Sequence, residues 1–218
     1  MFENENVNSL TTEIGPERPE RSERLAKTAE KTGHRSQHLT IETAVKQLLK
    51  AIGEDPQREG LVDTPDRVAR MYEEIFAGYY QDPAEILSRT FDEQHSEMVI
   101  VKNIQFYSHC EHHMVVFHGK AHIGYIPRGK VVGISKLARL VECFSRRLQV
   151  QERLTSQIAD AIDTHLHPLG VGVIMEAEHM CMSSRGIKKA GAATITSAMR
   201  GVFLYKPDVR SEFLSLIR

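Results

Sequence analysis

Two cysteines and a run of histidines carry the densest chemistry in this sequence. Cys110 and His113 stand in a C-x-x-H turn, a spacing that can bring a sulfur and an imidazole to one metal ion. Further on, VGVIMEAEHMC reads as a strand, and alternate strand residues share a face. Val171, Val173, Met175, Ala177, His179 and Cys181 then project together, an apolar face ending in a metal-capable pair. Cys110, His113 and Cys181 make three protein ligands. A catalytic zinc keeps its fourth position for water and lowers that water's pKa from 15.7 towards about 7. A closed structural site, with His112 or His179 as fourth ligand, is the alternative. The third cysteine, Cys143, falls on the apolar side of a helical pattern and reads as a small core residue.

His109, His112, His113, His118 and His122 lie within fourteen residues. His118 and His122 have the parity opposite to the apolar positions of their segment, which predicts solvent-facing rings. His112 adjoins a ligand and is a candidate proton donor or acceptor near the metal water. Basic residues form a second constellation. Ser135 can cap a helix starting near Gly133, whose N-terminus would favour an anion. Lys136 and Arg139 follow on its first turns, and SSRGIKK adds Arg185, Lys188 and Lys189. Together they suit a phosphorylated substrate beside the metal. Gln151 and Glu152 open the next helix, where an acid favours the helix dipole. An amide and a carboxylate side by side also suit the edge of a nucleobase.

The elements that must position these groups follow from periodicity. Residues 1–37 are polar, aperiodic and Pro-containing, and read as a loosely attached tail. Residues 38–96 read as a helical portion. In IETAVKQLLKAIG, residues Ile41, Val45, Leu48, Leu49 and Ile52 mark one face, and Gly53 closes the helix. In TPDRVARMYEEIFAGY, Thr64 can cap the start and Pro65 suits the first position. From residue 97 the period becomes two. MVIVKNIQFYS and the segment from Val115 to Ile126 read as strands, and two helices carry stripes Ile134–Leu137–Leu140–Val141–Phe144 and Leu154–Ile158–Ile162–Leu166. The strand VGVIMEAEHMC, a strand over ATITSAMRGVFLY and a short terminal helix complete residues 97–218. This is an α+β order with antiparallel hairpins, and its open sheet edges favour oligomerisation.

Composition sets the boundaries. Lys plus Arg number 28 against 29 Asp plus Glu, so there is no basic excess for bulk nucleic-acid binding. No apolar run approaches the ~20 residues of a membrane span, and MFENENVNSL has no leader pattern. Three cysteines are too sparse for a disulfide framework, which points to a reducing cytoplasm.

The segments YSHCEHHMVVFHGKAHIGYIP, GISKLARLVECFSRRLQVQERLTSQIADAI, EAEHMCMSSRGIKK and TSAMRGVF, with EDPQREGLVDTPDRVARMYEEIFAGY before them, resemble GTP cyclohydrolase I. The resemblance covers roughly residues 40 to 218. It implies the tunnelling fold, a ββααββ antiparallel sheet with helices on one face, preceded here by the N-terminal helical portion. It implies a homodecamer of two stacked pentameric rings with active sites between subunits. The implied reaction converts GTP to 7,8-dihydroneopterin triphosphate and formate, the entry to tetrahydrofolate and pterin synthesis. Carried over by position, Cys110, His113 and Cys181 are the Zn2+ ligands, and His112 and His179 transfer protons. Gln151 and Glu152 face the guanine, while Ser135, Lys136, Arg139, Arg185 and Arg67 serve the ribose-triphosphate side. Ser184 and KKAGAAT depart from the family pattern in the loop after Cys181.

Overall fold

The computed structural model describes residues 36–218, so nearly all of the tail expected over 1–37 lies outside the described residues. The chain divides into two compact units, Met1–Arg70 and Met71–Arg218. In the first, α1 is helical over 36–51 and stops at Gly53, whose φ of 90° only glycine adopts without strain. Of its apolar stripe Leu49 is buried, whereas Leu48 and Ile52 are exposed, so the expected face is only partly covered. The helix α2 (Thr64–Ile75) begins in this unit and ends in the second; Thr64 is its first residue rather than its cap.

The second unit is built on a five-stranded sheet. Its strands are β2 (Val99–Cys110), β3 (Val116–Ile126), β5 (Leu148–Gln149), β6 (Gly170–His179) and β7 (Ala193–Gly201), in the order β5-β2-β3-β6-β7. All neighbours are antiparallel except β5, which runs parallel to β2 for two residues. A separate ribbon pairs β1 (Thr90–Asp92) with β4 (Lys130–Val132). Periodicity reveals neither this ribbon nor β5, because two or three residues show no alternation.

One face of the sheet carries the main core. Leu137, Leu140, Val141 and Phe144 of α4 (Ile134–Ser145) and Leu154, Ile158 and Ile162 of α5 (Gln151–Leu166) pack there on Phe117, Ile123, Val173 and Met175. Ile134, expected on the α4 stripe, is 66% exposed because it is the first residue of the helix and lies outside the packed layer. Cys143 is fully buried, as its place in the pattern predicts.

A smaller core forms on the opposite face. Ile174, Met199, Phe203 and Phe213 cluster there, the last from the terminal helix α8 (Pro207–Ile217). Gly124 and Gly172 admit that helix: a Cβ at either would stand 2.7–3.0 Å from the Phe203 or Phe213 rings or the Met199 sulfur. The expectation for His122 is corrected on this face. It lies on the outer face as its parity predicts, yet it is buried, with the Asn103 N–H 3.5 Å from its Nδ1. Asn103, at φ 61°, sits where the β2–β3 register slips. His118 remains half-exposed, stacked on Tyr107.

Two strand expectations end early. β6 stops at His179, opposite Phe117 near the start of β3. With its partner strand turning away, the chain coils into α6 (Met180–Ser183), so Cys181 rides on a helical turn and not on the strand. β7 stops at Gly201, whose φ of 55° starts the short α7 (Val202–Tyr205).

Candidate metal centre and active site

The C-x-x-H segment folds as a tight turn at the end of β2. Cys110 receives the N–H groups of His113 (3.3 Å) and Met114 (2.8 Å) on its carbonyl and donates its own N–H to Val115 (2.9 Å). Met114 closes the turn at φ 54°, a conformation that costs a non-glycine residue about 1–2 kcal/mol. That cost brings His113 back over Cys110, with Nδ1 3.9 Å from the sulfur. From α6, Cys181 completes the group: one ligand atom from each of Cys110, His113 and Cys181 lies within 4.8 Å of the others. Cys110 is buried, Cys181 half-buried and His113 exposed, so the triad opens to solvent on the imidazole side. Burial first, and then the neighbouring Cys110, push the Cys181 thiol above its ordinary range, while Arg185 pulls the other way. Two sulfurs and an imidazole drawn together are a donor set that a divalent cation accepts.

His112 follows Cys110 but points more outward. Its side chain is 63% exposed, Nδ1 stands 3.8 Å from the Cys110 sulfur and Nε2 lies 3.9 Å from Glu111. His179 enters from the end of β6 and stacks flat on Phe117, its register partner, with ring centroids 4.6 Å apart and planes 3° off parallel. Burial holds its pKa below the ordinary value, against the opposing pull of Glu152. Glu152 is exposed on the first turn of α5.

Gln151 is 1% exposed, and both ends of its amide are engaged within the chain. Nε2 donates towards Met175 O, Thr194 O and Thr196 Oγ1, and Oε1 lies 2.7 Å from His179 Nε2. Placed so, the amide supports His179 directly.

The basic residues divide. Arg185, exposed, acts on Cys181 through its charge. Lys136 and Arg139 stand on the first turns of α4, and Arg139 lines a cleft of about 400 Å3 with Tyr80, Asp82, Glu85 and Glu142. The cap of α4 is Gly133, without a side-chain bond; Ser135 is already inside the helix, so its expected capping role fails. Ser135 stands two residues past the cap, inside the first turn, and Gly133 O takes the Lys136 N–H (2.8 Å). Among the described residues, Ser135, Lys136 and Arg139 make no hydrogen bond or ion pair with the sulfur–imidazole group. Arg67, in the first unit, pairs with Asp63 at 3.1 Å.

Three supports escape a reading of the sequence. Glu111 and Arg153 form an ion pair that ties the metal turn to α5. Phe117 pairs with His179 only once the β3–β6 register is known. Thr155 and Thr196 meet from α5 and β7 at 2.6 Å, a contact no local motif announces. A second group of possible ligands, His38, Glu42 and Asp66, lies in the first unit. There Lys46 pairs with Glu42 and Arg70 with Asp66, which makes it an ion-paired clasp between α1 and α2.

An antiparallel sheet layered by α4 and α5, with a two-sulfur, one-imidazole group at the strand ends, defines a tunnelling-fold enzyme with a candidate metal centre. A family model described as GTP cyclohydrolase I matches residues 41–218. The chain belongs to the GTP cyclohydrolase I family. It is 64% identical to GTP cyclohydrolase 1 of Carboxydothermus hydrogenoformans over 81% of this chain and 93% of that protein. Similar proteins called GTP cyclohydrolase 1 occur in Pelotomaculum thermopropionicum (62% identical, 82% of this chain, 95% of that one) and Mycobacteroides abscessus (57%, 87% and 96%).

Proposed function

We propose that this chain opens the imidazole ring of GTP at C8 of guanine, giving formate and 7,8-dihydroneopterin triphosphate. The observation that carries the reading is the convergence of Cys110, His113 and Cys181 beside His179 and Glu152, in a chain of this family. The donor set suits zinc, since two thiolates and an imidazole match its preference. The Cys110 sulfur and His113 Nδ1 stand 3.9 Å apart, and Cys181 would join them in holding the ion. When bound, the metal supplies a Lewis acid that makes water nucleophilic at neutral pH.

The chain's own residues do the rest. Guanine C8 becomes a better electrophile when N7 takes a proton, and His112 and His179 are assigned to hold and pass protons there. The Glu152 carboxylate offers two acceptor oxygens to guanine N1–H and the 2-amino group. Gln151 serves this site by its bond to His179. Ser135, Lys136, Arg139, Arg185 and Arg67 are assigned to the ribose and triphosphate. Lys136 and Arg139 make no bond to the metal group among the described residues, which suits sites completed by a neighbouring copy, and we assign a homodecamer of two stacked pentameric rings. The β7 edge, with Ile195 67% exposed, suits pairing with another copy. Among the described residues no helix is long and apolar enough to cross a membrane. Thiol ligands need reducing conditions, which suits the cytoplasm.

The test is incubation of purified, zinc-loaded protein with GTP, following formate and pteridine fluorescence together. Stoichiometric formate with growing fluorescence is expected. An assembled protein with full zinc and no formate overturns the assignment.

A further inference from the structure

The metal turn closes on itself, but little ties it to the rest of the chain. Its own bonds, from the His113 and Met114 N–H groups to Cys110 O, set its shape and not its place. Among the described residues, the hydrogen bonds and ion pairs that tie residues 111–114 to anything beyond β2 and the turn itself both start at Glu111. Its N–H donates to Gln149 O at 3.0 Å, and its carboxylate pairs with Arg153. Both anchors lead to one buried amide. Gln149 is 2% exposed, and its Nε2 spends two protons on Phe144 O and Gln157 Oε1, each at 2.9 Å. Phe144 belongs to α4 and Gln157 to α5, so both helices fix the amide. Its Oε1 is left to accept, and takes Arg153 Nε at 3.2 Å. The guanidinium thus forks, with Nε on the buried amide and Nη2 on the Glu111 carboxylate.

We propose that Gln149 and Arg153 are positioning residues for the metal turn, acting through Glu111 to hold Cys110 and His113 in place for Cys181 before an ion arrives. The side chains of Arg153 and Glu111 are 43% and 34% exposed, so their attraction in water is weak and charge alone does little. The guanidinium is planar and rigid, so its fork carries the position of the packed helices out to the turn. Ligands held in advance lose less freedom when the ion binds, and affinity rises without a new contact to the metal. The inference rests on the reading of Cys110, His113 and Cys181 as metal ligands.

The test is a double-mutant cycle on zinc affinity. A chromophoric chelator withdraws the ion from the full, reduced, zinc-loaded protein, and the zinc Kd is read from the competition. Glu111→Ala and Arg153→Met should each raise that Kd by about ten-fold, the lower end of the usual scale for outer-shell supports. The double variant should fall no more than about three-fold beyond the weaker-binding single, because both substitutions cut one path. Glu111 is exposed, so the metal-free Tm of Glu111→Ala should stay within about 4 °C of wild type. Single variants that hold zinc within about two-fold of wild type overturn the proposal. So do losses that multiply in the double variant, and so does a Glu111→Ala protein whose metal-free Tm falls beyond that margin. If Arg153→Met does not assemble, Arg153→Gln replaces it in the cycle. The failures separate: a wild type that retains no zinc defeats the metal reading, whereas a wild type that binds zinc no better than the variants defeats this inference alone.

Discussion

Replacing Phe117 by leucine tests whether a single ring serves both the core and the site. Phe117 is fully buried, edge-on to Phe106 at 6.0 Å and parallel to His179 at 4.6 Å. A leucine keeps most of the volume, and such swaps cost less than about 1.5 kcal/mol. The two lost ring pairs add about 0.5–1.5 kcal/mol each beyond area burial. The sum is roughly 1–4.5 kcal/mol, which at about 2–4 °C per kcal/mol lowers Tm by roughly 2–18 °C. The imidazole loses its flat support, so kcat should fall further than zinc content, with the metal retained. Tyr107→Leu is the control: Tyr107 also stacks on a histidine, His118, at 5.5 Å, but is 65% exposed on the other face. It should change Tm by less than about 2 °C, since a surface substitution stays within about 0.5 kcal/mol. Thermal melts and GTP kinetics on zinc-loaded protein decide. If Phe117→Leu melts within the range but keeps the wild-type kcat, the stack does not hold His179. If its Tm equals that of the control, the packing arithmetic is wrong.

The other expectations follow from single groups. Cys110→Ala and Cys181→Ala should each lose zinc and turnover while the protein still assembles; metal analysis showing full zinc at a normal rate would sink the ligand assignment. Glu152→Ala should depress GTP turnover and narrow the GTP-to-ATP ratio in kcat/KM, because adenine lacks the paired donors and a site built for them rejects such analogues by about 10⁴; an unchanged ratio means Glu152 does not read the base. His122 is held below its ordinary pKa by burial first, with Glu176 opposing and Lys120 and Lys102 assisting. Its folded pKa lies below the unfolded value of about 6.5, so its contribution is complete above that pH and is lost as the pH falls beneath it. The stability difference between wild type and His122→Gln, from denaturant melts, should therefore shrink between pH 7.5 and 5.5; a constant difference would show that His122 does not titrate differently on folding.

Periodicity is legible where an element has one wet and one dry face over two turns or more. The α4 and α5 stripes from Leu137 and Leu154 onward are buried as their spacing implies. It fails where tertiary context intervenes. His122 has the parity of a surface residue, yet it is buried beside its register partner Ile174, a member of the second core. Cys181 continues the alternation of β6, yet the strand ends when its partner turns off towards Met114, and the sulfur reaches the site from a helical turn. The meeting of Cys110 with His113 in the candidate metal group is legible because C-x-x-H is a local constraint. Its support is not, since Phe117, Thr155 and Thr196 act through strand register and helix docking.

The shortest strand has a consequence for how this site can change. β5 is two residues long, but Cys110 lies opposite Gln149 in its register, and Glu111 donates its N–H to Gln149 O at 3.0 Å. Two residues later comes Gln151, then Glu152. The distance from the metal turn to the proposed base-reading carboxylate is thus set by counting residues along the backbone. Inserting one residue at the extended Val150 would displace the start of α5, and that carboxylate with it, by about 3.3 Å. The Cys110 turn and the start of α5 are held on a ruler with whole-number marks, so a change of chain length here is felt in full steps.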